Sequence, residues 1–281
     1  MSTATMPFNL AGSMSGARMF RTYLTEAKYE SLRALRSPAF AIPFLTLPAA
    51  LYFLFGVLLA GNMSHGDLTI SKIMFVNFSV FGIMGPGMFG FGIFVANERS
   101  QGLLTLKRAL PMPPASYLVA KMAMTVVFSA IVMASVIAIA ATMGHTGLSA
   151  GQFLAVSMID ILGSLPFAAI GLFIGTVASG KSAPAFINLA YLPMMHLGGL
   201  FYPLPKKVQI IERFSPAFYL DKLGLKAVGV PSLDQLATGV SGNQSTLLAI
   251  FVLALVTLFF ALLATRRLKG GSVKPTVTTA A

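Results

Sequence analysis

Cysteine and tryptophan are absent from the 281 residues, and only eight side chains carry a carboxylate. Without cysteine there are no disulfides and no thiolate metal sites, and the redox compartment stays open. Three histidines and eight acids, scattered along the chain, provide no cluster for a membrane-embedded enzyme. Charge of either sign is scarce. Asp, Glu, Lys and Arg make up 10% of the chain and hydrophobic residues 56%, where a soluble domain carries about a quarter charged residues. The net charge of +12 could suggest nucleic acid, but the cations lie between apolar runs and not along one polar face. No nucleic-acid partner is expected. The polar first 37 residues lack the short apolar core of a cleavable signal peptide.

What is present is a series of long apolar runs. Six are long enough to cross a bilayer, which takes roughly 20 mainly apolar residues: Ala39 to Ala60, Ile73 to Ala96, Met122 to Met143, Phe153 to Ala178, Ser182 to Phe201 and Leu247 to Thr265. An even number puts both termini on one side. With the ends inside, fourteen Lys and Arg fall in inner segments and six in outer ones. Five of those six share the long loop after the fifth span. The excess of inner cations predicts cytoplasmic termini. The expected architecture is an all-α polytopic membrane protein, a single transmembrane domain over 1–281.

Four features punctuate this frame. Residues 17–37 read as a basic amphipathic helix, with Phe20, Leu24, Ala27 and Leu35 near helical spacing and Ser37-Pro38 as its end. Such a helix lies in the headgroup layer and implies contact with lipid. Residues 98–113 form a charged segment between the second and third spans. Its Glu98, Arg99, Gly102, Leu103, Lys107 and Arg108 precede Pro111, which predicts a short surface helix ending there. Residues 202–246 are too apolar for a solvated loop, since they include Ile210, Ile211, Phe214, Phe218, Leu220 and Leu223. A cytoplasmic tail, 266–281, closes the chain.

Two sets of residues invite a more specific chemistry. Gly175 to Ser182 fits the phosphate-binding pattern GxxxxGK[ST] residue for residue. A working loop of that kind follows a strand in a soluble α/β domain, whereas this one joins two apolar runs. A tight turn is the expected reading, with no nucleotide bound by this chain. Asp160 is the only acid inside a span, and Asn188 and His196 are polar residues at membrane depth. Intramembrane polar groups are candidate sites. Asp160 could hold a cation or relay protons, or simply bond a neighbouring helix. Asn77, Asn188 and His196 are expected to bond between helices. Gly171 and Gly175 form a small-xxx-small pair for close helix packing.

The segment ERSQGLLTLKRALPMPPASYLVAK (Glu98 to Lys121) and the stretch HLGGLFYPLPKKVQIIERFSPAFYLDKL (His196 to Leu223) resemble the permeases of type-2 ATP-binding cassette transporters. The run RALRSPAFAIPFLTLPAALYFLFG (Arg33 to Gly56) is similar to the drug-exporter, daunorubicin-resistance-like branch. Leu103 departs from the threonine that many relatives carry there. The resemblance implies a coupling helix between spans two and three that docks on a separate ATPase subunit. It also implies re-entrant outer helices between spans five and six, and pairing with a second permease copy or a homologue. On this reading the chain is no enzyme: ATP and magnesium belong to the partner, and an amphipathic or hydrophobic substrate crosses the inner membrane. The rival expectation is a self-sufficient secondary transporter that uses Asp160 as its ion or proton site.

Overall fold

The computed structural model describes residues 16–59, 69–104, 106, 116–144, 146–202, 209–231 and 245–270. Every regular element among them is helical. This is the outcome expected of apolar chain in lipid, where backbone polar groups must be satisfied within the segment. Among the described residues five helices are long and apolar enough to cross a membrane: Pro38–Leu59, Ile70–Ser100, Ser116–Thr142, Ala150–Val177 and Thr246–Leu268.

Helix α1 (Gly16–Leu35) is followed at once by α2 (Pro38–Tyr52), which opens with Pro38 in its first turn and runs into a π-helical stretch, Phe53–Leu59. The second span comprises α3 (Thr69–Gly85), a π-helical turn at Pro86–Gly90, and α4 (Phe91–Ser100). Pro86 cannot donate to the helical ladder, and the wider turn absorbs that loss. Helix α5 (Ser116–Thr142) returns. Helix α6 (Ala150–Val177) begins at a capping box, in which Ser149 Oγ accepts from the Gln152 N–H and Gln152 Oε1 accepts from the Ser149 N–H at 3.0 Å.

The fifth expected span is shorter than the sequence suggested. Helix α7 (Ala183–Leu197) has 15 residues, about 22 Å at 1.5 Å per residue, against a hydrocarbon core of about 30 Å. It ends where Gly198 and Gly199 turn the chain, Gly199 at φ 72°. Asn77 of α3 donates to the Leu200 carbonyl there at 2.8 Å. A short turn of helix, α8 (Gln209–Glu212), leads to α9 (Pro216–Val228), and α10 (Thr246–Gly270) completes the set. The apolar residues between α7 and α10 divide into two groups. Ile210, Ile211 and Phe214 are exposed, whereas Phe218 and Leu220 are buried because α9 packs into α3, α6 and α10.

The second span is the centre of the bundle: 83% of its most apolar window is buried, against 17% for α10. Glycine makes that centrality possible. Met88 backbone atoms lie where a Gly171 side chain would begin, and Gly175 stands the same way against Gly92. The small-xxx-small pair thus lets α6 meet the second span backbone to backbone.

Candidate functional site

A buried ionic knot forms where α1, α4 and α5 meet. Lys121, in the second turn of α5, is fully buried, and its ammonium donates to Glu98 Oε1 at 2.9 Å and to Glu30 Oε2 at 2.7 Å. Arg33 donates to the same Glu98 oxygen, and the Tyr117 hydroxyl donates to Glu98 Oε2 at 2.7 Å. Glu98 is 1% exposed and Glu30 5%, whereas the Arg33 side chain is 46% exposed at the rim. The Phe94 ring lies 5.2 Å from the Lys121 ammonium and 5.3 Å from the Arg33 guanidinium, adding cation–π contact. Two acids and two bases balance over the knot as a whole, with Arg33 supplying its cation from the solvent rim. The arrangement ties together three elements distant in sequence.

The local sequence explains how each group arrives. Glu98 and Arg99 stand in the last turn of α4, after a run of apolar residues. Tyr117 and Lys121 are four residues apart and share one face of α5. Glu30 sits three residues before Arg33 on α1, and this polar side of α1 faces α5. The apolar residues Phe20 and Leu24 of α1 remain 65% and 56% exposed. The helix therefore docks by its C-terminal half, through these charges and through Ala34 and Leu35, and leaves Phe20 and Leu24 outward.

Arg99 makes a different connection. Its guanidinium donates to the Ala178 carbonyl at 3.0 Å and to the Val177 carbonyl at 3.4 Å. These carbonyls close the end of α6, so Arg99 caps a helix C-terminus with a cation, a favourable pairing with the helix dipole. The following turn, with Gly180, fits against Asn97 and Ser100. Of the phosphate-loop pattern, Gly175 to Val177 are still helical and Lys181 is exposed in the turn. The preceding element is a helix, where a phosphate loop has a strand.

The short helix expected from Glu98 onward does not begin there. Glu98 belongs to the second span, and the helix stops at Gln101 and Gly102, the latter at φ 72°. A new helical turn starts beyond it, where the Leu106 N–H donates to the Gly102 carbonyl at 3.3 Å. A left-handed residue breaks the ladder at little cost when it is glycine. Leu103 and Leu106 are exposed on this turn. Lys107, Arg108 and Pro111 lie outside the described residues.

The polar residues at membrane depth do not form one site. Asn188 is on an exposed face of α7, and His196 Nδ1 pairs with the Leu192 carbonyl of its own helix at 2.8 Å. Neither makes a bond to another helix, and Asn77 bonds to the turn after α7, at the Leu200 carbonyl. Asp160 is fully buried elsewhere, beneath α9. Of the knot only Glu98 was expected as a site residue; Glu30, Arg33, Tyr117 and Lys121 were not. Their signal was the rarity of acids beside apolar runs and the spacing of Tyr117 to Lys121 on one face.

The sequence model described as ABC-2 type transporter matches residues 22–222. That range begins inside α1 and ends in α9, so it contains the whole knot. A protein of Bacillus subtilis (strain 168) whose name describes it as a transport permease, YvfS, is 26% identical over 193 residues, covering 68% of this chain and 78% of its own length.

Proposed function

The chain belongs to the ABC-2 type transporter family, and from that premise we propose that it is the permease half of an exporter driven by a separate ATPase. The observation that carries the proposal is the ionic knot at the root of the segment after Gly102. A force applied to Leu103, Leu106 and the basic residues beyond reaches α4 directly. Glu98 passes it to α1 and α5, and Arg99 passes it to the end of α6. A movement at this segment is thereby distributed over four elements and does not bend one loop.

On this reading the Glu98 end of the bundle and both termini face the cytoplasm, in the inner membrane, as the excess of inner cations predicts. A cytoplasmic ATPase binds ATP and its magnesium and docks on the exposed leucines and on Lys107 and Arg108; this chain takes no cofactor and performs no hydrolysis. The apolar faces left open on α2 and α10, whose windows are buried to 22% and 17%, meet lipid and a second permease copy. The substrate is amphipathic or hydrophobic, in line with the similarity of residues 33–56 to drug exporters. Helix α1 lies at the membrane surface, its exposed Phe20 and Leu24 among lipid tails.

Reversing charge at Lys107 and Arg108 to glutamate tests the docking. The expected result is a normally inserted permease that no longer co-purifies with its ATPase and no longer transports. Transport by this variant at the normal rate with the partner bound would sink the coupling role. Orientation is tested by cysteines placed singly at Gln101 and Gln209, in a chain with none of its own. An impermeant thiol reagent added to intact cells should label Gln209→Cys and not Gln101→Cys; the reverse pattern would invert the topology.

A further inference from the structure

Asp160 has no role in the coupling just described, and its surroundings are unusual for an aspartate. It stands on α6 where α9 packs across it and is fully buried. Neither carboxylate oxygen has a hydrogen-bond partner. Its neighbours on α9 are apolar or acidic. Leu220 fills the space beside Gly163, three residues on from Asp160. Asp221, 3% exposed, follows Leu220 on α9.

The other titratable groups on the packed elements are few, Tyr219 on α9 and Tyr191 and His196 on α7 among them. On α9, the Lys222 ammonium lies 5.1 Å over the Phe218 ring, and Lys226 donates to Thr246 Oγ1 at 2.7 Å. Glu212 is buried on α8, which packs on α7. On α3, Lys72 stands near the helix start. On α4, Glu98 and Arg99 occupy the far end of the bundle, as do Tyr117 and Lys121 on α5. Between Thr246 and Thr265, α10 has no titratable residue.

A carboxylate buried with both oxygens unpartnered carries a desolvation cost far larger than that of a neutral acid. We propose that Asp160 is a proton-binding site: it holds a proton while α9 is packed on α6, and releases it when the two helices part. The ligand is a proton and not a larger cation because no neighbouring group shares the carboxylate's oxygens. A metal ion would also need several further oxygen ligands, and no group of three His, Cys, Asp or Glu that could hold a metal occurs among the described residues. The inference goes beyond the proposed function and stands without an ATPase partner. It makes the seating of α9 sensitive to pH.

The sign follows from linkage. The packed state binds one proton more than a state with Asp160 in water, so the packed state loses stability as pH rises above the ordinary carboxylate range. The expected slope is about tenfold in the unfolding constant per pH unit from this group. The experiment uses the full chain in lipid nanodiscs. Infrared spectra of the native chain at neutral pH should contain a protonated carboxylic C=O band that disappears in Asp160→Asn. Detergent-unfolding titrations over a pH series should show the Asn variant as stable as the native chain at low pH, and less steeply destabilised as pH rises by one proton's slope. Because a variant can misfold, a hydrophobic carbodiimide provides a readout on the native chain, since it modifies protonated carboxyls in apolar surroundings. Mass spectrometry should find the adduct on the peptide containing Asp160. No band, no adduct and an unchanged slope would show that Asp160 is ionised and would overturn the proposal. Native stability that depends on sodium, and ceases to in Asp160→Asn, would equally overturn it in favour of a metal-ion site.

Discussion

Glu98→Ala is expected to destabilise the bundle by about 3 kcal/mol, because removing one member of a buried ion pair strands the other. The Tyr117 hydroxyl loses its acceptor, and Lys121, fully buried, is left with Glu30 alone. Arg33 should matter much less. Its side chain is 46% exposed, water can solvate it, and pairs of that kind contribute roughly 0–1 kcal/mol. The measurement is the unfolding midpoint in mixed micelles for Glu98→Ala, Lys121→Ala, Arg33→Ala and the Glu98→Ala/Lys121→Ala double variant. Groups in contact show coupling of about 0.5–3 kcal/mol, so the double variant should cost clearly less than the two single ones together. Strict additivity would mean that the knot is not a unit. Transport should fail in Glu98→Ala even where the variant inserts, because the root of the coupling segment is then joined to neither α1 nor α5.

Gly171→Val is the second change with a large expected effect. A Cβ at Gly171 meets the Met88 carbonyl group and, at 2.8 Å, its Cα. These are backbone atoms that no rotamer change can move. Overpacking of a tight site costs typically 1–3 kcal/mol, and here the upper end is expected because α6 must be pushed away from the second span. The π-helical turn at Pro86–Gly90 would be displaced with it. Gly151→Ala is the comparison. Its added Cβ would have only Ser149 Oγ, 3.8 Å away, as a close neighbour, and alanine is the better helix former by up to about 1 kcal/mol. Thermal stability in detergent and surface expression should fall for Gly171→Val and hold for Gly151→Ala. Equal stability of the two variants would show that the backbone contact between the second span and α6 is not tight.

The amino-acid sequence by itself determined that the chain is helical and built of membrane-crossing segments. Apolar runs of that length leave the backbone no partner but itself, whatever surrounds them. It also determined the break after α1, where Ser37-Pro38 acts locally. The helix stop at Gly102 is equally local in cause, although the pattern placed that element four residues early by starting it at Glu98. The length of α7 was misjudged for a related reason. Hydropathy counts Gly198 to Phe201 as apolar chain, while the turn at Gly199 takes them out of the helix.

Tertiary structure alone decided which polar groups meet. Lys121 looked like one cation of the inner face until α1 folded against α5 and brought Glu30 to it, 91 residues away in sequence. Arg99 looked like an exposed docking charge until the end of α6 supplied its carbonyls. Asn188 and His196 looked like interhelical bonds and are not, because the orientation of α7 leaves one exposed and the other bonded to its own turn. Asp160 was recognisable from sequence as out of place, but what faces it was not. Periodicity and hydropathy are properties of neighbours along the chain. A partner 60 or 90 residues away is chosen by how helices pack, and for α6 against the second span that is set by where two glycines let backbones touch.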